Sequence, residues 1–166
     1  MASLQELFVK ELRDIYDGEE QIIEALPKLS EKASSDELKQ SLEDHLEQTR
    51  GHLERLDQIF SQLGEGHTTK KCKGMEGLLE EGEEAVKEVP NGAARDAILI
   101  AGAQKVEHYE IATYGTLCAW AEELGHDDAA DLLQETLDEE SAANEKLTEI
   151  AEGGLIAAGV NEAASD

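Results

Sequence analysis

The chain has 166 residues, with 39 acidic against 14 basic side chains, a formal net charge of −25, and only 4% aromatic residues. That length suits one domain with a core of its own, and the charge argues against nucleic acid or an anionic membrane bound through a basic surface. Few aromatics mean a core of Leu, Ile and Ala, and only two prolines, Pro27 and Pro90, leave room for long helices.

Ser3 and Glu6 form the pattern of a capping box. Phe8, Leu12, Ile15, Glu19, Ile22, Leu26 and Leu29 then recur with 4,3,4,3 spacing, which predicts a helix over about 3–32. Pro27 predicts a kink near its C-terminal end. After Ser34-Ser35-Asp36 a second helix is predicted over about 36–63, with Leu38, Leu42, His45, Thr49, His52, Leu56 and Ile59 on one face. Gly64 is its expected stop.

The polar, basic stretch 65–73 leads into a shorter amphipathic run from Met75 to Val89, closed by Pro90-Asn91-Gly92. A third long helix over about 92–124 places Ile100, Ala103, Glu107, Glu110, Tyr114, Leu117 and Ala121 on one face. Gly125 ends it. The fourth, about 127–152, aligns Leu133, Leu137, Glu140, Asn144, Leu147 and Ala151. One domain, residues 1–153, is expected, followed by a frayed acidic tail over 154–166.

The short links at 34 and 126 predict two antiparallel hairpins. The link between them is about 27 residues long. Nine extended residues reach about 30 Å and a 16-residue helix adds about 24 Å, enough to travel a bundle about 45 Å long. The expected architecture is therefore all-α: a ferritin-like four-helix bundle whose hairpins are joined by one long crossover containing a shorter helix.

Four of these stripes are interrupted near their midpoints by Glu19, by His45, by Glu107 with Glu110, and by Glu140. A buried carboxylate is costly unless a charge or metal partners it. Folding the hairpins brings the midpoints to one level, so these five residues are the candidate metal ligands, with His52, Asn144 and Glu139 as weaker candidates. Carboxylate oxygen and imidazole nitrogen suit iron or manganese, in a site that is mononuclear or dinuclear. The Glu-x-x-His pairs of the usual di-iron bundle are absent from the core faces. Tyr16 and Tyr114 lie one turn from ligands and read either as core aromatics or as hydroxyls that orient ligands. His108 points away from Glu107, and Cys72 and Cys118 read as isolated thiols rather than a disulfide framework. With no signal or spanning segment after Met1, a reducing, cytoplasmic setting is expected. The acid excess suggests a salt-rich source, because self-repulsion loosens a compact chain at low salt.

Cys72-Lys-Gly-Met-Glu-Gly-Leu-Leu-Glu-Glu81, Gln104-Lys-Val-Glu-His-Tyr-Glu-Ile111, Tyr114-Gly-Thr-Leu117 and the surroundings of Glu19 and His45 resemble the YciE/YciF-like ferritin-like stress proteins over about residues 4–150. The resemblance implies a ferritin-like bundle, a homodimer, kinship with rubrerythrin and a two-metal centre, but no particular reaction. Rubrerythrin's rubredoxin-type Cys pairs are missing, so no built-in electron donor is visible. Two functions follow as expectations. One is a stress protein whose carboxylate and histidine site performs redox chemistry with oxygen or peroxide. The other is a non-catalytic structural or binding protein whose metal is structural or lost.

Overall fold

A computed structural model describes residues 3–68, 70–153 and 158–165. The helices are α1 Leu4–Ser30, α2 Asp36–Leu63, α3 Lys73–Glu88, α4 Ala93–Glu123, α5 Asp127–Glu152 and α6 Val160–Ala163. The capping box forms as read: Glu6 N–H donates to Ser3 Oγ at 3.2 Å and Ser3 N–H to Glu6 Oε2 at 2.8 Å. Ser35 caps α2 through Leu38 N–H. Gly64 ends α2 at φ 66, a left-handed conformation that glycine adopts without a Cβ clash. α1 continues through Pro27 to Ser30, so the missing N–H falls in its last turn.

α1 packs beside α2, α4 beside α5, and the two hairpins meet through α1–α4 and α2–α5. The crossover helix α3 lies against α4 and α1. Two contacts fix the direction of travel. Asp96, on the first turn of α4, accepts hydrogen bonds from Ser34 N–H (2.7 Å) and Ser35 N–H (2.8 Å), so α4 begins at the α1–α2 turn. At the other end, His126 at the α4–α5 turn meets Gln5 at 2.7 Å and stacks on Phe8. The crossover therefore spans the bundle, and the fold is the expected all-helical, ferritin-like one.

α1 straps the crossover down with residues one turn apart. Arg13 donates to Gly66 O and pairs with Glu65; Asp17 accepts from Cys72 N–H (2.7 Å); Gln21 donates to Cys72 O (3.1 Å). Gly74 admits α3 close to α4, since a Cβ there would lie 2.7–2.9 Å from the Tyr109 ring.

The tail departs from expectation. α6 packs on α4 and α5, and Val160 adds to the core beside Leu99, Leu147 and Ile150. A Cβ on Gly159 would collide with the backbone of Ala151, Glu152 and Gly153, so glycine is what lets the chain turn back onto the end of α5. Four residues are too few to show a helical period, which is why the pattern was invisible in the sequence. The rest of the expected frayed stretch, 154–157 and 166, lies outside the described residues.

The core is in two parts. Phe8, Leu12, Ile15, Leu56, Ile59, Leu117 and Leu133 fill one end. Ile22, Leu26, Leu38, Leu42, Met75, Leu99 and Leu147 fill the other. A polar layer lies between them. No helix among the described residues is long and apolar enough to cross a membrane.

Candidate metal centre

Glu19 enters the layer from α1, His45 and His52 from α2, Glu107 and Glu110 from α4, and Glu140 from α5. Glu19, His52, Glu110 and Glu140 are fully buried, and Glu107 and His45 nearly so. Their positions follow from helix geometry. Glu107 and Glu110, three apart, share a face, and His45 and His52, two turns apart, do the same.

The donor atoms form two overlapping groups. Glu19, His52, Glu110 and Glu140 each offer an atom within 4.8 Å of the others, and so do His45, Glu107, Glu110 and Glu140. Glu110 and Glu140 belong to both. Each group has one imidazole, one carboxylate of its own, and the shared pair.

Each imidazole is oriented from behind. His52 Nε2 lies 2.9 Å from Glu139 Oε2, and Glu139 is gripped by Arg55 through two N–H donors at 2.8 Å. This contact assigns the proton to Nε2 and turns Nδ1 toward Glu140 (3.0 Å) and Glu19 (3.4 Å). His45 Nδ1 faces Gln48 Oε1 at 3.4 Å, which turns Nε2 toward Glu107 (3.4 Å) and Glu140 (3.8 Å). The Tyr114 hydroxyl donates to Glu19 Oε1.

As protein groups alone, the cluster is strained electrostatically. Burial pushes the Glu110 carboxyl well above its ordinary range, and the charges of Glu140, Glu19 and Glu107 push it further. Burial does the same for Glu107, partly offset by His45. For His52 burial opposes the charged ring, yet Glu140 and Glu19 outweigh it and raise the group to about 10. Glu139 is held low, chiefly by its hydrogen bonds from Arg55.

A metal fits on three counts. Eight buried donor atoms of these six residues have no hydrogen-bond partner among the described residues, including both oxygens of Glu110 and of Glu140. Native interiors rarely leave such atoms unsatisfied. The four carboxylates carry −4 when ionised, which two divalent cations balance. One imidazole and several carboxylates per group suit a cation that accepts both nitrogen and oxygen.

The cluster contains all five principal candidates and adds His52, a weaker one. Glu139 lies behind His52 rather than in either group. Asn144, one turn beyond Glu140, accepts a hydrogen bond at Oδ1 from Gln104 Nε2 at 3.3 Å. Tyr114 orients a ligand, whereas Tyr16 stacks on His67 at 4.8 Å in the neighbouring core. His108 is exposed, as read. Arg55, Gln48 and Asp96 escaped the sequence reading. Arg55 and Gln48 each sit three residues after a histidine of the site, and that spacing was the available signal.

Fold and site together define a ferritin-like helical bundle with a buried carboxylate and histidine cluster able to hold metal. The family described as a domain of unknown function (DUF892) matches residues 3–164, and the chain belongs to that family. It is 47% identical over 152 residues to protein YciF of Escherichia coli K12, covering 91% of this chain and 92% of YciF. The crystal structure of the E. coli stress protein YciF superposes with TM-score 0.85 at 47% identity, over 90% of this chain and 94% of that one. YcfI of Rhodopseudomonas palustris superposes with TM-score 0.88 at 48% identity, over 90% and 96%. A Xanthomonas campestris protein, at 21% identity and TM-score 0.70 over 89% of each chain, shares the fold alone.

Proposed function

We propose that this chain is a stress protein whose bundle core binds two divalent ions, iron or manganese, and uses them in redox chemistry with a small oxidant. The observation that carries this reading is the set of eight unpartnered donor atoms, arranged as two groups that share Glu110 and Glu140. When bound, such ions supply electrons and open positions at which small oxidants are polarised. The protein's own part is positional. Glu139 and Gln48 present one nitrogen of each imidazole, Tyr114 holds Glu19, and the two apolar cores keep bulk water from the layer. The reading includes a homodimer in the cytoplasm of a salt-rich cell, supported by the family resemblance and the acid excess.

Metal analysis of protein purified without chelator in high salt tests this. About two iron or manganese ions per chain are expected, lost in Glu107→Ala, with dioxygen or peroxide consumed by the loaded protein. Metal-free protein that becomes more stable as Glu107→Leu would overturn the proposal, since removing an uncompensated buried acid stabilises. That outcome favours the second reading, a non-catalytic scaffold, for which the provisional description of YcfI as a structural protein speaks.

A further inference from the structure

The two approaches to the His45–Glu107 half of the layer differ in chemistry. Between α2 and α5 the surface is mixed, with Glu37, Gln40, Asp44, Gln48 and Lys146 set among apolar groups around His45. Between α1, α3 and α4 the approach is apolar apart from Lys28 and Glu83. An outer cavity of about 40 Å³ has the exposed Lys28 on its rim. An inner cavity of about 20 Å³ ends on His45 and Glu107. Ala25, Leu29, Leu79, Ala103 and Val106 line both, so the two cavities adjoin across these five side chains, which form the neck between them.

The inner cavity exceeds the roughly 10–15 Å³ that one water needs, so it is of the size of a single water-sized or diatomic guest. Its walls, Ile22, Leu26 and the neck residues, offer no hydrogen bond until the floor is reached. Water or peroxide entering it would give up hydrogen bonds without replacement. Dioxygen has none to give up, carries no charge, and loses nothing among alkyl side chains. We propose that this passage admits dioxygen to the His45–Glu107 side of the centre and excludes polar oxidants. The role rests on the metal-centre reading, but the passage itself can be tested apart from it.

Methyl relaxation in the chelator-treated full chain under dissolved dioxygen reports occupancy directly. Ile22 and Leu56 are equally buried, at 2% and 1% exposed, so exposure alone predicts equal effects. The passage predicts that Ile22 and Val106 relax faster than Leu56 and Leu133, and that Ala103→Phe in the neck removes the difference. Equal relaxation at all four overturns the proposal whatever the metal content. In iron-loaded protein, Ala103→Phe is expected to slow dioxygen consumption by about ten-fold while peroxide consumption holds. An unchanged dioxygen rate overturns it. Ala25→Leu narrows the same neck from α1 and serves if Ala103→Phe does not fold. Relaxation at Ile22 in a chain that takes up no metal keeps the passage and removes the redox reading.

Discussion

His52 and Glu139 are joined through Nε2 and Oε2 at 2.9 Å, and that contact decides which nitrogen of the ring faces the cluster. Arg55 fixes Glu139 in turn, so the orientation of a buried ring is set by a half-buried ion pair at the α2–α5 seam. Glu139→Ala should therefore weaken metal binding by about 10–100-fold, the usual effect of losing such a partner. Competition against a chelator of known affinity measures it. Affinity equal to the parent's would show that packing alone orients His52.

The raised carboxyls make the cluster sensitive to pH in a definite direction. Glu110 binds its proton more tightly folded than unfolded, so its contribution to stability is fully present below the unfolded carboxylate range. That contribution is lost as pH rises toward the folded value. Glu110→Gln cannot titrate. In chelator-treated protein the Gln variant should gain on the parent as pH rises from 5 to 8, by at most about 1.4 kcal/mol per unit for one proton. Metal uptake should strengthen over the same range, because ligands must shed protons to bind. Parallel denaturation curves at pH 5 and pH 8 test the first statement, and a parent–variant difference that does not change with pH would refute it.

Asp96 holds two backbone N–H groups of the α1–α2 turn from the first turn of α4, about three turns before Glu107. Asp96→Ala should cost about 1.5–3 kcal/mol, the range for hydrogen bonds to a charged group. Urea denaturation reads the loss, and metal stoichiometry should stay at the parent value, which separates this anchor from the site.

The acidic surface predicts a stability that climbs with salt. Molar KCl shortens the screening length to about 3 Å, so the mutual repulsion of a chain at −25 should largely vanish. Melting temperatures in dilute buffer and in molar KCl should differ clearly, with the salt sample higher. Equal values would count against a salt-rich origin.

Much of this was legible because the chain breaks its own pattern. Glu19, Glu110 and Glu140 stood out as acids in otherwise apolar stripes, and the long crossover set the topology. His52 was harder to read, since a histidine on an apolar face is equally consistent with a neutral core residue. Glu139 was read only as a weaker ligand candidate, and Arg55 was not read at all, because its partner Glu139 lies on a helix distant in sequence and only its place three residues after His52 marked it. Asp96 was hidden for another reason: an acid in the first turn of a helix already has an explanation in the helix dipole.

The division of the core by the polar layer has a consequence for the molecule as a mechanical object. Among the described residues each apolar end gathers fourteen buried residues, too few to persist as an independent unit. The ends must hold each other up, and they do so across a joint made of acids and imidazoles. Whatever charge state that joint takes is felt at both tips of the bundle, more than one turn from any ligand. Leu12 and Leu147, at opposite ends, should loosen in concert when the joint is charged and tighten in concert when it is neutralised.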